Sequence, residues 1–135
     1  SISSEAHTVT PTPLVLLHDV EQALIYLCKH PELATDPAPT TPGQHRWLPV
    51  RHLAALNNRL LRLEPVPLPA SHKRTTRLRF LFFLLRAASF VDRMAPMPAA
   101  WAWLALPTPV RRLASLWDAW LNADSTTRAA YGQPE

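Results

Sequence analysis

Seven cationic side chains, Arg51, Arg59, Arg62, Lys73, Arg74, Arg77 and Arg79, crowd between positions 51 and 79, where Glu64 is the only acid. Guanidinium and ammonium groups at this density are suited to phosphate neutralisation: each can displace condensed counterions from a polyanion and donate hydrogen bonds to phosphate oxygens. The surplus extends beyond them. Residues 44–112 hold twelve of the fourteen Lys/Arg against Glu64 and Asp92, whereas both ends of the chain are net acidic. Segregated charge of this kind builds a local potential that collects nucleic acid, DNA being the expected partner, or else an acidic protein. The seven residues are therefore the candidate nucleic-acid-binding set.

Other chemistry finds little footing. The six histidines are scattered, and Cys28 and His30 stand two apart, which on a helix turns them to different sides. Neither arrangement resembles the paired ligands of a zinc site, so no metal is expected. Cys28 falls on an apolar stripe and reads as a buried structural thiol. With glycine only at Gly43 and Gly132, a Walker loop, a G-x-G-x-x-G fingerprint and a nucleophile elbow are all excluded. Asp92-Arg93 reads as an end-of-helix charged pair. No catalytic residue and no cofactor are expected, and the chain reads as non-enzymatic.

The five tryptophans admit base stacking or core packing. Trp117 and Trp120 share a helical face with Leu113 and Leu116, and Trp101 and Trp103 lie in an apolar run, so packing is the expectation for these four. A homodimer through the tryptophan-bearing helices is the rival arrangement, which would make the chain an interaction module of a larger assembly. Trp47, between Arg46 and Leu48, is the one set aside for a surface contact.

Helices must position these groups. Fifteen prolines against two glycines interrupt apolar segments and leave little provision for tight hairpins. Asp19 with Gln22 is expected to cap a first helix whose buried stripe is Val20, Ala23, Leu24, Leu27 and Cys28. His30-Pro31 closes it, and a loop follows to Gly43. Pro49 opens a second helix with Leu53, Leu56, Leu60 and Leu63 behind and Arg51, Arg59 and Arg62 in front. Thr75 or Thr76 caps a central apolar helix reaching about Phe90. Pro98 and Thr108-Pro109 start two more, the second ending near Asn122, and Asp124 or Ser125 caps a last turn through Ala130.

The succession RLRFLFFLLRAASFV at 77–91 and PAAWAWLALPTPVRRLASLWDAWLNAD at 98–124, with the W-L-P-V-R-H-L segment from Trp47, resembles helicase-associated winged-helix modules. Such modules occur in bacterial proteins similar to the N-terminal domain of XPB-type (xeroderma pigmentosum group B) DNA helicases. The resemblance implies a helix-turn-helix architecture and an accessory role near DNA, with motor residues elsewhere. The expected fold is thus mainly α, a helix-turn-helix or winged-helix-like bundle of four to five helices. Val91 to Pro98 has no glycine and two prolines, which leaves at most a vestigial wing. The apolar run Phe80 to Leu85 keeps the central helix out of a major groove, so only its N-terminal end would reach a phosphate.

At 135 residues the chain suits one domain. The expected division is a polar N-terminal tail at 1–17, a single helical domain at 18–131 and a C-terminal tail at 132–135. No apolar run approaches the roughly 20 residues that span a bilayer, so no membrane partner is expected. One cysteine fits a reduced compartment, and a cytoplasmic location is expected.

Overall fold

The computed structural model describes residues 12–35 and 46–135 and is mainly helical. Its longer helices are α1 (Thr12–Lys29), α4 (Arg77–Ala87), α5 (Pro98–Leu104) and α6 (Pro109–Leu121). Three short ones, α2 (Glu32–Thr35), α3 (Leu53–Asn57) and α7 (Ser125–Ala130), each make little more than a turn. A hairpin of two-residue strands, β1 (Val91–Asp92) and β2 (Ala95–Pro96), follows α4 as a vestigial wing. Most of the loop expected between His30 and Gly43 lies outside the described residues, as does the expected tail up to position 11.

Helix α4 is the centre, as its composition requires. Leu78, Leu81, Phe82, Phe83, Leu84 and Leu85 are all buried, and each contributes about 1.5–3 kcal/mol by leaving water. Helices α1, α6 and α7 pack around it. Its C-terminus ends in paired reverse bonds, Ser89 N–H to the Arg86 carbonyl and Phe90 N–H to the Leu85 carbonyl, with Ser89 in the left-handed region where glycine is usual. The hairpin turn likewise places Arg93 and Met94 at positive φ, a two-residue turn normally made with glycine or asparagine. Burial of Met94 and Val91 holds it in place.

The largest departures from the sequence pattern have one cause. Helix α1 begins at Thr12, so 12–17 belong to the helix rather than to a tail, and Asp19 is an interior residue instead of a cap. Its carboxylate is completely buried. It accepts from the backbone N–H groups of Leu61 (2.7 Å) and Arg62 (3.2 Å) and from Nη2 of Arg77 (3.1 Å). The chain after α3 must turn back to reach it. Asn57 closes that reversal, accepting from the Glu64 N–H at 2.8 Å, and the expected second helix therefore stops at Asn57 after five residues. Of its expected apolar back, Leu53, Leu56 and Leu60 are buried and Leu63 is exposed. Cys28, expected to be buried, is also exposed.

Two further buried polar groups set the start of α4. The Glu64 carboxylate accepts from the Leu78 N–H at 2.8 Å, and Thr75 Oγ1 accepts from the Arg79 N–H at 3.0 Å, so orphan donors of the first turn are satisfied. His72 bridges the two sides of the bundle: its Nδ1 accepts from the Leu48 N–H at 2.9 Å and its Nε2 donates to the Leu78 carbonyl at 3.0 Å. Thr108 caps α6 through the Arg111 N–H, and Asp124 caps α7 through the Thr127 N–H. Both caps are where the sequence pattern puts them.

Removing Asp19 strands a buried guanidinium and two backbone donors. Asp19→Ala is expected to lower the unfolding free energy by about 3–5 kcal/mol, measured by urea denaturation; a loss under about 1 kcal/mol would show that this contact does not organise the bundle. A second expectation concerns acid. Burial pushes the His72 imidazole down to about 4 from 6.5. Between those values the unfolded chain binds a proton that the folded one refuses, so stability is full above pH 6.5 and is lost as pH falls toward 4. From pH 7 to pH 5 the loss from this group is about 2 kcal/mol. His72→Gln should flatten that part of the urea-midpoint profile.

Candidate nucleic-acid interface

The seven cations predicted to form one face separate into four groups. Arg77 turns inward: its side chain is 11% exposed and pairs with Asp19. It is a structural counter-ion, not a free phosphate donor, and the expectation for it is corrected on that ground. Arg51 and Arg59 stand near Tyr26, with the Arg59 guanidinium 6.0 Å from the ring centre. Arg62 is exposed on the reversal whose N–H groups Asp19 holds. Arg59 and Arg62 both follow the end of α3 and so do not form a helical front.

Lys73, Arg74 and Arg79 meet. Together with Trp47, Ser71 and the C-terminal residues Ala129 to Gly132 they line a recess of about 600 Å³. The one-turn 3-10 helix His72–Arg74 carries the first two, and its position is fixed by the two His72 hydrogen bonds. Arg79 enters from the first turn of α4. Its Nε is buried with no hydrogen-bond partner. Its guanidinium lies against Gly132, where an added Cβ would sit 3.3 Å from Nη1; Gly132 also takes φ +64°, so glycine serves both the turn and the close approach. Among the described residues none of Arg51, Arg59, Arg62, Lys73, Arg74 and Arg79 forms an ion pair with a carboxylate.

Trp47 is half-buried and lines the recess. Its ring meets His72 edge-on at 5.3 Å and Tyr131 at 5.1 Å. Tyr131 is buried, donates to the Arg46 carbonyl at 3.3 Å and anchors the C-terminal end against the backbone beside Trp47. Burial pushes its hydroxyl above the ordinary value, with nearby Arg86 opposing, so it stays protonated. The separation of these residues along the chain hid the recess from sequence reading: residues 46–47 and 131 are joined only by tertiary packing. The pairing of an isolated Trp with flanking arginine was the one legible signal.

A second polar cluster surrounds Tyr26, whose hydroxyl lies 2.6 Å from His52 Nδ1. His30 stacks on Tyr26 at 4.2 Å and its Nδ1 lies 2.9 Å from Glu32. Burial raises the Tyr26 hydroxyl, partly offset by Arg59, and Glu32 is lowered by a backbone hydrogen bond first and by His30 second. Among the described residues no group of three or more His, Cys, Asp or Glu side chains is arranged to hold a metal ion.

The tryptophan helices also differ from expectation. Trp103 is buried and donates to the Arg112 carbonyl at 2.9 Å, but Trp117 is 55% exposed and Trp101 49% exposed. Trp117 and Trp120 make an edge-to-face pair, 4.8 Å apart, beside an apolar groove of about 620 Å³ between α6, α4 and the start of α1. No helix of the described residues is long and apolar enough to cross a membrane. Comparison with protein-family models, curated proteins and solved structures finds no match to this chain.

Exchange of Arg77 and Arg74 separates structure from surface. Arg77→Ala is expected to cost about 3 kcal/mol of stability by leaving Asp19 a buried, half-satisfied carboxylate. Arg74→Ala, at an exposed position, should change the urea midpoint by an amount worth under about 0.5 kcal/mol.

Proposed function

We propose that this chain is a non-enzymatic, accessory DNA-binding domain that contacts phosphates through Lys73, Arg74 and Arg79, with Arg51, Arg59 and Arg62 adding to its positive field. The convergence on one recess of three cations that have no carboxylate partner among the described residues carries this reading. Cations without carboxylate partners repel one another and are relieved by an anion, whereas solubilising charges are usually dispersed or paired. The resemblance to helicase-associated modules points the same way, toward a domain that holds nucleic acid for a motor located elsewhere. An exposed unpaired thiol, Cys28, fits the reducing cytoplasm.

The contacts available are to backbone phosphate, so affinity is expected to be steep in salt and shallow in sequence. With three to six phosphates neutralised, log K should fall against log salt with a slope of about −3 to −5. Fluorescence anisotropy across a salt series measures it. Lys73→Glu combined with Arg74→Glu should weaken binding by at least about tenfold and flatten the slope. Salt-independent binding, or none, would overturn the proposal.

A second reading rests on a different observation. The groove beside Trp117, with Val110 and Leu121 exposed next to it, presents apolar surface that suits a protein partner or another copy of the chain. Light scattering distinguishes the two: a stable dimer that Trp117→Glu dissolves would favour an interaction module.

A further inference from the structure

We infer that the recess formed by Trp47, Lys73, Arg74, Arg79 and Gly132 takes a single unpaired nucleotide, so that the domain engages single-stranded DNA or a frayed end in preference to continuous duplex. The inference rests on the DNA-binding reading and specifies its substrate. Three observations converge on it.

First, the usual means of reading a duplex is absent from the central helix. Six residues of α4 between Leu78 and Leu85 are buried, so the helix has no apolar-free side to lay in a major groove. Its N-terminus is occupied as well: Glu64 takes the Leu78 N–H and Thr75 takes the Arg79 N–H, which puts a carboxylate where a phosphate would have to sit.

Second, the cations line a concavity. Phosphates of an intact duplex run along a convex cylinder, and a flat basic surface meets them. A recess of about 600 Å³ is filled only when a nucleotide leaves the stack and enters.

Third, the lining has two chemistries side by side. Trp47 supplies an aromatic surface for a base, and Lys73, Arg74 and the partly exposed Arg79 supply donors for its phosphate. Alternation of aromatic and cationic groups is the pattern by which single strands are held without sequence preference. Gly132 lets the Arg79 guanidinium lie this close, because a Cβ there would sit 3.3 Å from Nη1 and press it aside, and its φ of +64° disfavours any other residue.

The test compares three ligands by anisotropy at one moderate salt concentration: a mixed-sequence single strand about twelve nucleotides long, its blunt duplex, and that duplex with a short unpaired overhang. The single strand and the overhang are expected to bind at least about tenfold tighter than the blunt duplex. Trp47→Leu, which keeps apolar bulk without an aromatic ring, and Gly132→Val, which displaces Arg79 at an exposed turn, should each lower the ratio of single-strand to duplex affinity toward one. The ratio within one variant is unaffected by partial unfolding, and circular dichroism verifies the fold. Equal or tighter binding of blunt duplex by the unaltered protein would overturn the inference while leaving phosphate binding intact. An unchanged ratio in both folded variants would also overturn it. Failure of all three ligands to bind would instead remove the DNA-binding reading on which it stands.

Discussion

A single buried carboxylate organises this molecule. Asp19, in the middle of α1, reaches across to two backbone N–H groups of the 58–64 reversal and to the guanidinium of Arg77 at the head of α4. Three segments distant in sequence are thereby joined at one point. An isolated carboxylate in such surroundings would be expelled or neutralised; four lone-pair sites with three well-directed donors make its burial tolerable. A well-packed apolar substitute could match the stability of the pair, but it could not fix the direction of the returning chain. Glu64 and His72 repeat the device nearby, each tying a loop to Leu78 at the beginning of α4.

That arrangement decides which charges remain available. By consuming Arg77, Asp19 removes one cation from the surface and leaves its neighbours in the chain, Lys73, Arg74 and Arg79, as a separate set. His72 then acts as the brace beneath them. Because both of its nitrogens are engaged, the turn that carries Lys73 and Arg74 is held at fixed distance from Trp47, which adjoins the Leu48 N–H that His72 accepts. The recess is consequently built from rigid backbone, and a ligand entering it forfeits less ordering entropy than one captured by long side chains on mobile loops.

Local signals made much of the fold legible. The apolar run of α4, the Thr108-Pro109 cap, the Asp124 cap and the proline-limited ends of α5 all depend on neighbours within a few residues, and each element lies where those neighbours put it. Elements governed by distant partners were not legible. Nothing local says that Asp19 will bond residues 61, 62 and 77 rather than cap its own helix, or that Asn57 will end α3 by reaching Glu64. The left-handed residues Arg93 and Met94 show the same limit, since a glycine-free hairpin is specified by the burial of Met94 and Val91 and not by turn chemistry. As for the site, the basic composition was readable: five of the seven cations are exposed, and partly exposed Arg79 joins Lys73 and Arg74 at the recess. Which of them converge was a property of the tertiary contacts of Tyr131 and His72.

Convergence has an electrostatic consequence of its own. Three like charges around one recess raise the energy of the unliganded protein, although solvent at the exposed Lys73 and Arg74 screens most of the repulsion. Had Arg77 also pointed outward, a fourth charge would have been added to the same end of α4, where the helix dipole already disfavours cations. Pairing Arg77 with Asp19 avoids that addition, and Glu64 placed against the first-turn N–H offsets the dipole from the other side. The two buried acids therefore do more than shape the chain: they leave Lys73, Arg74 and Arg79 close together and without a carboxylate partner among the described residues, the condition under which any anion bound there would relieve the greatest repulsion.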